Sequence, residues 1–303
     1  MIRTRFATAA LALALLALLA NGAAAQTMRV LVTNDDGYNA AGIDALVNAL
    51  IANTNLQVTV IAPQNNSSGT GENRTTTTIG VYAGTTASGY PCKIVQGFPG
   101  DTTLWGVLQE MQATPPDLVV SGINNGQNLS AEVIPLSGTV GAATWAARHG
   151  VPAIAVSAGL GATPNYADAA SYTANLVELI RTKPGFRKKM FEKDPPNRGL
   201  VLNVNFPTCS SGSVRGVVLV PVGRSTTFTG YTLVGSSGGV DTWAPTSALI
   251  NPFVVNCAST LEDPTSDVEA FTNGFATVTP LDPERNVTGR KLKQFKLATK
   301  LPF

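Results

Sequence analysis

The chain has one histidine, three cysteines and few charged residues among its 303 positions. Each scarcity excludes a chemistry. A serine hydrolase needs a base beside its nucleophile. The lone His149 has no Ser and Asp companions in such an arrangement, and Ser157 lies in Ala155-Val156-Ser157-Ala158-Gly159, which is not a G-x-S-x-G elbow. Cys92, Cys209 and Cys257 show neither CxxC nor Cys/His spacing, so no zinc module is expected. A P-loop and a strand–GxGxxG–helix fingerprint are both absent. An oxidising compartment would permit one disulfide. Cys209 and Cys257 share the C-terminal third and are the expected pair, with Cys92 the odd thiol.

Long apolar runs are also lacking, except at the start. Ala9 to Ala20 is unbroken Ala and Leu, preceded by Arg3 and Arg5 and followed by Ala23-Ala24-Ala25. Positive start, short apolar run and small-x-small end make a secretory signal. The run is too short to span a bilayer, which takes roughly 20 residues. Removal of this leader predicts a protein that is periplasmic or secreted, with no membrane association. Lys and Arg number 21 and Asp and Glu 19; without Arg3 and Arg5 the formal charge is zero. A neutral chain is a poor nucleic-acid binder, since that surface needs a basic excess. Arg187-Lys188-Lys189 reads as a solvated face.

What is present is an alternation of strand and helix patterns. Met28 to Val32 and Val58 to Ala62 are compact β-rich runs. Between them, Ile43, Leu46, Val47, Leu50 and Ile51 recur at helical spacing. Asp101 is placed to cap a helix with Leu104, Val107, Leu108 and Met111 on one face, stopped by Pro115-Pro116. Leu118 to Val120 reads as a strand, Thr139 to His149 as a helix and Ala153 to Val156 as a strand. Ala169, Tyr172, Leu176, Leu179 and Ile180 mark a further helix before a strand at Leu200 to Val204. Such alternation predicts an α/β fold with a doubly wound, mostly parallel sheet. After Pro207 helical periodicity largely disappears. Val214 to Val222, Thr226 to Val234 and Phe275 to Thr279 read as β, with Gly235 to Gly239 as a flexible turn. The expected organisation is a leader over 1–25, an α/β core over 26–207 and a β-rich C-terminal arm over 208–303 that returns to the core.

Open α/β sheets bind ligands beyond the carboxyl ends of their strands. Three polar clusters are predicted there: Asn34-Asp35-Asp36-Gly37, Asn65-Asn66-Ser67-Ser68-Gly69 and Ser121-Gly122-Ile123-Asn124-Asn125-Gly126. Each alone is an ordinary Asx- and Gly-rich turn. Together they offer carboxylates, hydroxyls and amides, an all-oxygen donor set suited to Mg²⁺, Mn²⁺ or Ca²⁺. A divalent cation relieves the repulsion between adjacent carboxylates. It can also activate water and polarise a phosphoryl oxygen.

These motifs resemble the SurE (survival protein E) family of metal-dependent 5′/3′-nucleotidases. The likeness runs through Arg29 to Gly37, Ala62-Pro63 to Ser68-Gly69, Gly97-Phe98-Pro99-Gly100-Asp101, Ser121 to Leu129 and Ser137-Gly138-Thr139-Val140. It continues more loosely through Pro152 to Ser157, Leu202 to Pro207 and Thr265-Ser266-Asp267 to Leu281. The resemblance implies a Rossmann-like core and an extended arm that assembles subunits into a homodimer or homotetramer. It implies one divalent cation per subunit, Mg²⁺ or Mn²⁺ before Ca²⁺, held by Asp35, Asp36, Ser68 and Asn124, with Asp35 and Asp36 catalytic. Asn34, Gly69, Asn128, Ser137, Gly138 and Thr139 would surround the phosphate. A helix N-terminus at Ser137 agrees with that role, because its free N–H groups favour anions. The sequence departs from the family at Gln64-Asn65-Asn66-Ser67, at Ser130-Ala131-Glu132 and at Pro135-Leu136. The expected function is hydrolysis of nucleoside monophosphates or other small phosphomonoesters. The rivals are a secreted solute-binding protein and a family member without turnover.

Overall fold

The computed structural model describes residues 27–191, 198–224, 228–247, 255–283 and 293–303; the expected leader over 1–25 lies outside them. Nine strands form one sheet. They are β1 (Met28–Thr33), β2 (Leu56–Pro63), β3 (Gly80–Thr85), β4 (Pro91–Gln96), β5 (Leu118–Asn125), β6 (Ala153–Ala158), β7 (Val201–Phe206), β8 (Val217–Leu219) and β11 (Ala276–Leu281), in the order β3-β4-β2-β1-β5-β6-β7-β11-β8. The core strands β4, β2, β1, β5, β6 and β7 pair in parallel. β3 and β11 run antiparallel to their neighbours β4 and β7. The expected α/β, mostly parallel, doubly wound architecture is what the chain forms.

The central strands are buried on both faces, which is why they read as continuous apolar runs. In β1, Val30 and Val32 face a core shared with helices α1 (Ala41–Ile51) and α4 (Tyr166–Thr182). Leu31 faces the opposite core, shared with α3 (Gly138–Arg148). Helix α2 (Pro99–Trp105) packs beside α3 on that second side. Ala143, Ala146 and Ala147 leave the sheet-facing side of α3 thin, so the helix can sit close to β5 and β6. His149 ends α3, its ring Nδ1 2.9 Å from the Trp145 carbonyl.

The chain order turns at β1, which lies between β2 and β5. This reversal opens a crevice at the carboxyl ends of β1, β2 and β5. Ser137 at the start of α3 reaches the same rim.

Several expectations need correction. The helix expected from Asp101 begins earlier, at Pro99; Asp101 is its third residue and still caps it, accepting the N–H of the N-cap residue Phe98 at 2.8 Å, and it also accepts the Thr75 N–H at 2.9 Å. The expected apolar face of the helix holds at Val107 and Met111, both buried, but not at Leu108. After Trp105 the backbone widens into a π-turn over Gly106–Glu110, closed by Met111 N–H to the Gly106 carbonyl, and Leu108 is turned out to solvent. The Ser121–Gly126 cluster is not a loop after a strand: β5 runs on through Asn125, with a register shift against β6 between Ser121 and Asn124. Strands β3 and β4 were not anticipated. Val214 to Val222 contributes only the three residues of β8. Helix α5 (Asp267–Thr272) forms where periodicity had given no helix. Arg187 is not merely solvated, because it pairs with Asp117 at 2.8 Å.

Beyond Pro207, β8 and β11 join the main sheet, whereas β9 (Phe228–Ser237) and β10 (Val240–Ser247) pair only with each other. Thr226 and Thr227 of the expected strand lie outside the described residues. The turn is narrower than Gly235 to Gly239. Gly238 and Gly239 alone make it, both at positive φ, 61° and 79°, as a two-residue hairpin turn requires. Near the C-terminus, Phe295 is fully buried and the Tyr172 hydroxyl donates to the Ala298 carbonyl at 2.9 Å, which ties the chain end back to α4.

Cys209 and Cys257 form a disulfide across 48 residues, and Cys92 is a buried free thiol on β4. Closing a loop of that length restrains the unfolded chain by about 2–4 kcal/mol. Cys257→Ser is therefore expected to lower the urea midpoint by that much stability. An unchanged midpoint would show that the bridge contributes nothing.

Candidate active site

The site is built around Asp35, the second residue past β1. Its carboxylate is almost wholly buried, 2% exposed. Its Oδ1 accepts the Thr139 hydroxyl at 2.6 Å, and the Thr139 backbone also donates to it. The carboxylate therefore sits against the N-terminus of α3, where the helix dipole and free N–H groups favour negative charge. Gly138 makes this approach possible. A Cβ there would lie 2.8 Å from the Asp35 Cβ and 2.9 Å from its Oδ2. Ser137 caps the helix, its Oγ accepting the Val140 N–H at 3.1 Å.

Burial nevertheless dominates the electrostatics. It pushes the Asp35 carboxyl up to about 7; the Thr139 hydroxyl opposes the shift and the neighbouring Asp36 charge adds to it. Asp36 is raised by the same desolvation. Its Oδ2 accepts the Asn125 N–H at 2.8 Å and its Oδ1 accepts the Asn66 Nδ2 at 3.2 Å, so it straps the β1, β2 and β5 ends together.

Six of the ten expected residues converge on one cleft of about 180 Å³: Asp35, Ser68, Gly69, Asn124, Asn128 and Ser137. The other four stand behind it or beside it. Asn34 and Thr139 are fully buried, Gly138 backs on Asp35, and Asp36 is held by Asn125 and Asn66. Thr139, expected at the phosphate, directs its hydroxyl to Asp35 instead. Asn128 is likewise engaged. Its Nδ2 donates to Ser157 Oγ at 2.9 Å, its N–H to Asn205 Oδ1 at 2.7 Å, and its carbonyl accepts Asn203 Nδ2 at 2.7 Å.

Sequence reasoning missed Ser157, Asn203 and Asn205 as supports. Polar residues inside otherwise apolar strands were the available signal. It also missed the apolar wall of the cleft, Val133, Leu136 and Leu160. Two larger cavities, about 420 and 620 Å³, lie against β2 and β4 and along β8. Neither contains the buried carboxylate or any of the expected residues, so the smaller cleft is the chemically organised one.

Among the described residues no group of three or more His, Cys, Asp or Glu gathers. Any cation here must draw on amide and hydroxyl oxygens as well as carboxylates. Asn124 suits that need. Its Nδ2 is fixed on the Gly126 carbonyl at 2.7 Å, while its Oδ1 is buried without a hydrogen-bond partner. An unpaired buried oxygen is costly unless something fills it. The cleft lining has no Lys, Arg, His or Cys, so no side-chain cation there offsets a bound anion.

A family model described as Survival protein SurE matches residues 30–228. The chain belongs to the SurE family. Among SurE relatives, the 5′-nucleotidase SurE of Synechococcus sp. (strain JA-3-3Ab) is 31% identical over 262 residues, spanning 85% of this chain and 92% of that protein. The 5′-nucleotidase SurE of Syntrophobacter fumaroxidans is 33% identical over 256 residues, 84% and 93% of the two chains. The crystal structure of the SurE protein from Aquifex aeolicus superposes with a TM-score of 0.66 at 26% identity. It covers 89% of this chain and 98% of that one.

The raised Asp35 value carries a stability prediction. The folded state holds this proton more tightly than the unfolded chain does. Cation-free protein therefore loses stability as pH rises from 3.8 to about 7, and stays lowered above that. Asp35→Asn keeps an acceptor for Thr139 and removes the buried charge. In EDTA at pH 8 it is expected to melt at a higher temperature than the wild type. An equal or lower Tm would show that the carboxylate is not a burden on the ion-free fold.

Proposed function

We propose that this chain is a divalent-cation-dependent phosphomonoesterase that hydrolyses nucleoside 5′- or 3′-monophosphates in the periplasm or outside the cell. The observation that carries the reading is the buried Asp35 carboxylate beside Asp36, facing a cleft in which Asn124 Oδ1 has no partner. The names of its SurE relatives, 5′-nucleotidases, supply the substrate class. The Cys209–Cys257 disulfide agrees with an oxidising compartment.

Asp35, Asp36, Ser68 and Asn124 would hold the cation. When bound, it supplies Lewis-acid polarisation of a phosphoryl oxygen and eases the ionisation of water. The protein's own residues do the rest. Thr139 and the α3 N-terminus orient Asp35 and favour its charged form against the effect of burial. Ser137 uses only a lone pair of its hydroxyl in capping the helix, which leaves the O–H to donate to a phosphate oxygen. Gly69, at φ 78°, carries no side chain between the loop backbone and the cleft. Leu136, 51% exposed, and Leu160, 38% exposed, offer an apolar wall to the leaving group.

The hairpin of β9 and β10 supports assembly. A two-stranded ribbon alone is marginally stable in water, and this one exposes Leu233, Val234, Val240 and Trp243. The proposal is that it packs on a second copy in a homodimer or homotetramer. Val234→Asp with Trp243→Asp is expected to yield a smaller species by light scattering. An unchanged mass would remove the hairpin from the interface.

The direct test is phosphate release from 5′- and 3′-nucleoside monophosphates with Mg²⁺, Mn²⁺ or Ca²⁺, and with EDTA. Turnover should require the cation and fall at least a hundredfold in Asp36→Asn and Asp35→Asn, since both lose charge at the reacting centre. Cation-independent turnover would overturn the metal assignment. Absence of turnover with every substrate and ion would favour a solute-binding or inactive relative.

A further inference from the structure

The cleft wall from Asn128 to Ser137 is attached to the C-terminal segment through one buried carboxylate. Asp267 is the first residue of α5 and is fully buried. Its Oδ2 accepts the Ser130 N–H at 2.9 Å. Its Oδ1 accepts the Gly223 N–H at 2.7 Å and the Val268 N–H at 2.8 Å. A second tie runs alongside, from the Ala131 N–H to the Gly223 carbonyl at 2.9 Å. Gly223 admits the carboxylate, since a Cβ there would lie 2.9 Å from Asp267 Oδ1.

Ser130 marks what this contact does. Among the described residues it is the only non-glycine residue with positive φ, at 69°. A residue with a Cβ rarely enters this left-handed region without something to hold it there. The carboxylate that receives its N–H is that restraint. Two residues earlier is Asn128, whose backbone N–H and side chain enter the network of Asn205, Ser157 and Thr139. Thr139 in turn holds Asp35. After Ser130 the chain continues to Val133 and Leu136 of the wall and to the Ser137 cap. The backbone direction at Ser130 thus sets where both ends of this segment meet the cleft.

We propose that Asp267 is a positioning residue for the reaction. It holds Ser130 in its left-handed conformation and so fixes Asn128, Leu136 and Ser137 about the cleft. It touches neither cation nor substrate. The proposal rests on the phosphomonoesterase reading for its catalytic consequence, but the conformational restraint is separately measurable.

Asp267→Asn tests it at near-constant shape. The amide can turn its oxygen to Gly223 and Val268, which leaves its NH₂ facing the Ser130 N–H, donor against donor. Misplacement of positioning groups by about 1 Å costs up to a hundredfold in rate. We expect kcat for a nucleoside monophosphate with Mn²⁺ to fall between tenfold and a hundredfold. Adding Ser130→Gly should recover at least a third of the lost activity, because glycine adopts positive φ without the restraint. Hydrogen exchange of residues 127–136 should rise in Asp267→Asn and not elsewhere in the core sheet. Unchanged kcat with unchanged exchange would overturn the proposal, and so would a folded Asp267→Asn protein that Ser130→Gly fails to rescue. If Asp267→Asn does not fold, Ser130→Val and Ser130→Gly are compared in the wild-type background. The valine variant should lose activity and the glycine variant keep it, and equal activities would overturn the proposal. If the wild type itself shows no turnover, the phosphomonoesterase reading fails, and exchange at residues 127–136 still decides the restraint.

Discussion

A carboxylate buried against the first turn of a helix organises this protein. Asp35 lies two residues past the end of β1, and α3 starts at the rim where that strand ends. The Thr139 hydroxyl and the glycine at 138 let the two meet. Removing a carboxylate from water is expensive, and a helix N-terminus offsets only part of that cost. The upward shift of the Asp35 carboxyl has burial as its largest cause. A site held in this unbalanced state is receptive to a cation, which is why the same feature governs both the electrostatics of the fold and the proposed chemistry.

The surrounding structure reads as layers of support for that carboxylate. Asp36 straps the strand ends through Asn125 and Asn66. Asn128, gripped by Asn203, Asn205 and Ser157, steadies Thr139 from behind. The C-terminal segment supplies the outermost support through Asp267 and Gly223. The part of the chain that departs most from α/β alternation is therefore attached to the cleft at defined atoms.

Much of this was legible in local patterns. Buried parallel strands are continuous apolar runs, and α1 and α4 show the 3.6-residue period, so their presence and order followed from sequence. The amphipathic reading failed at Leu108, because a π-turn changes the angular step between residues and no local residue signals it. The end of β5 was misread because Asn124 and Asn125 are turn-formers by propensity, yet both pair with β6. β3 and β4 escaped notice because β3 is largely exposed and too varied to alternate cleanly. Asp267 stood within a similar motif, but nothing local told that its carboxylate crosses to Ser130, 137 residues away.

By itself the sequence determined the chemistry on offer: oxygen donors after β1 and β2 and at the end of β5, one unhelpful histidine, cysteines able to form a single bridge, and a strand–helix rhythm that brings those donors to one edge. These are properties of residue type and short-range period. Tertiary structure decided the roles. It turned Thr139 from an expected phosphate contact into the partner of Asp35, left Asn124 Oδ1 without one, and set Asp36 as a strap between strands. Those assignments depend on which polar groups meet across long stretches of chain and how much water is excluded where they meet. Burial and hydrogen-bond partnership arise only when distant segments pack.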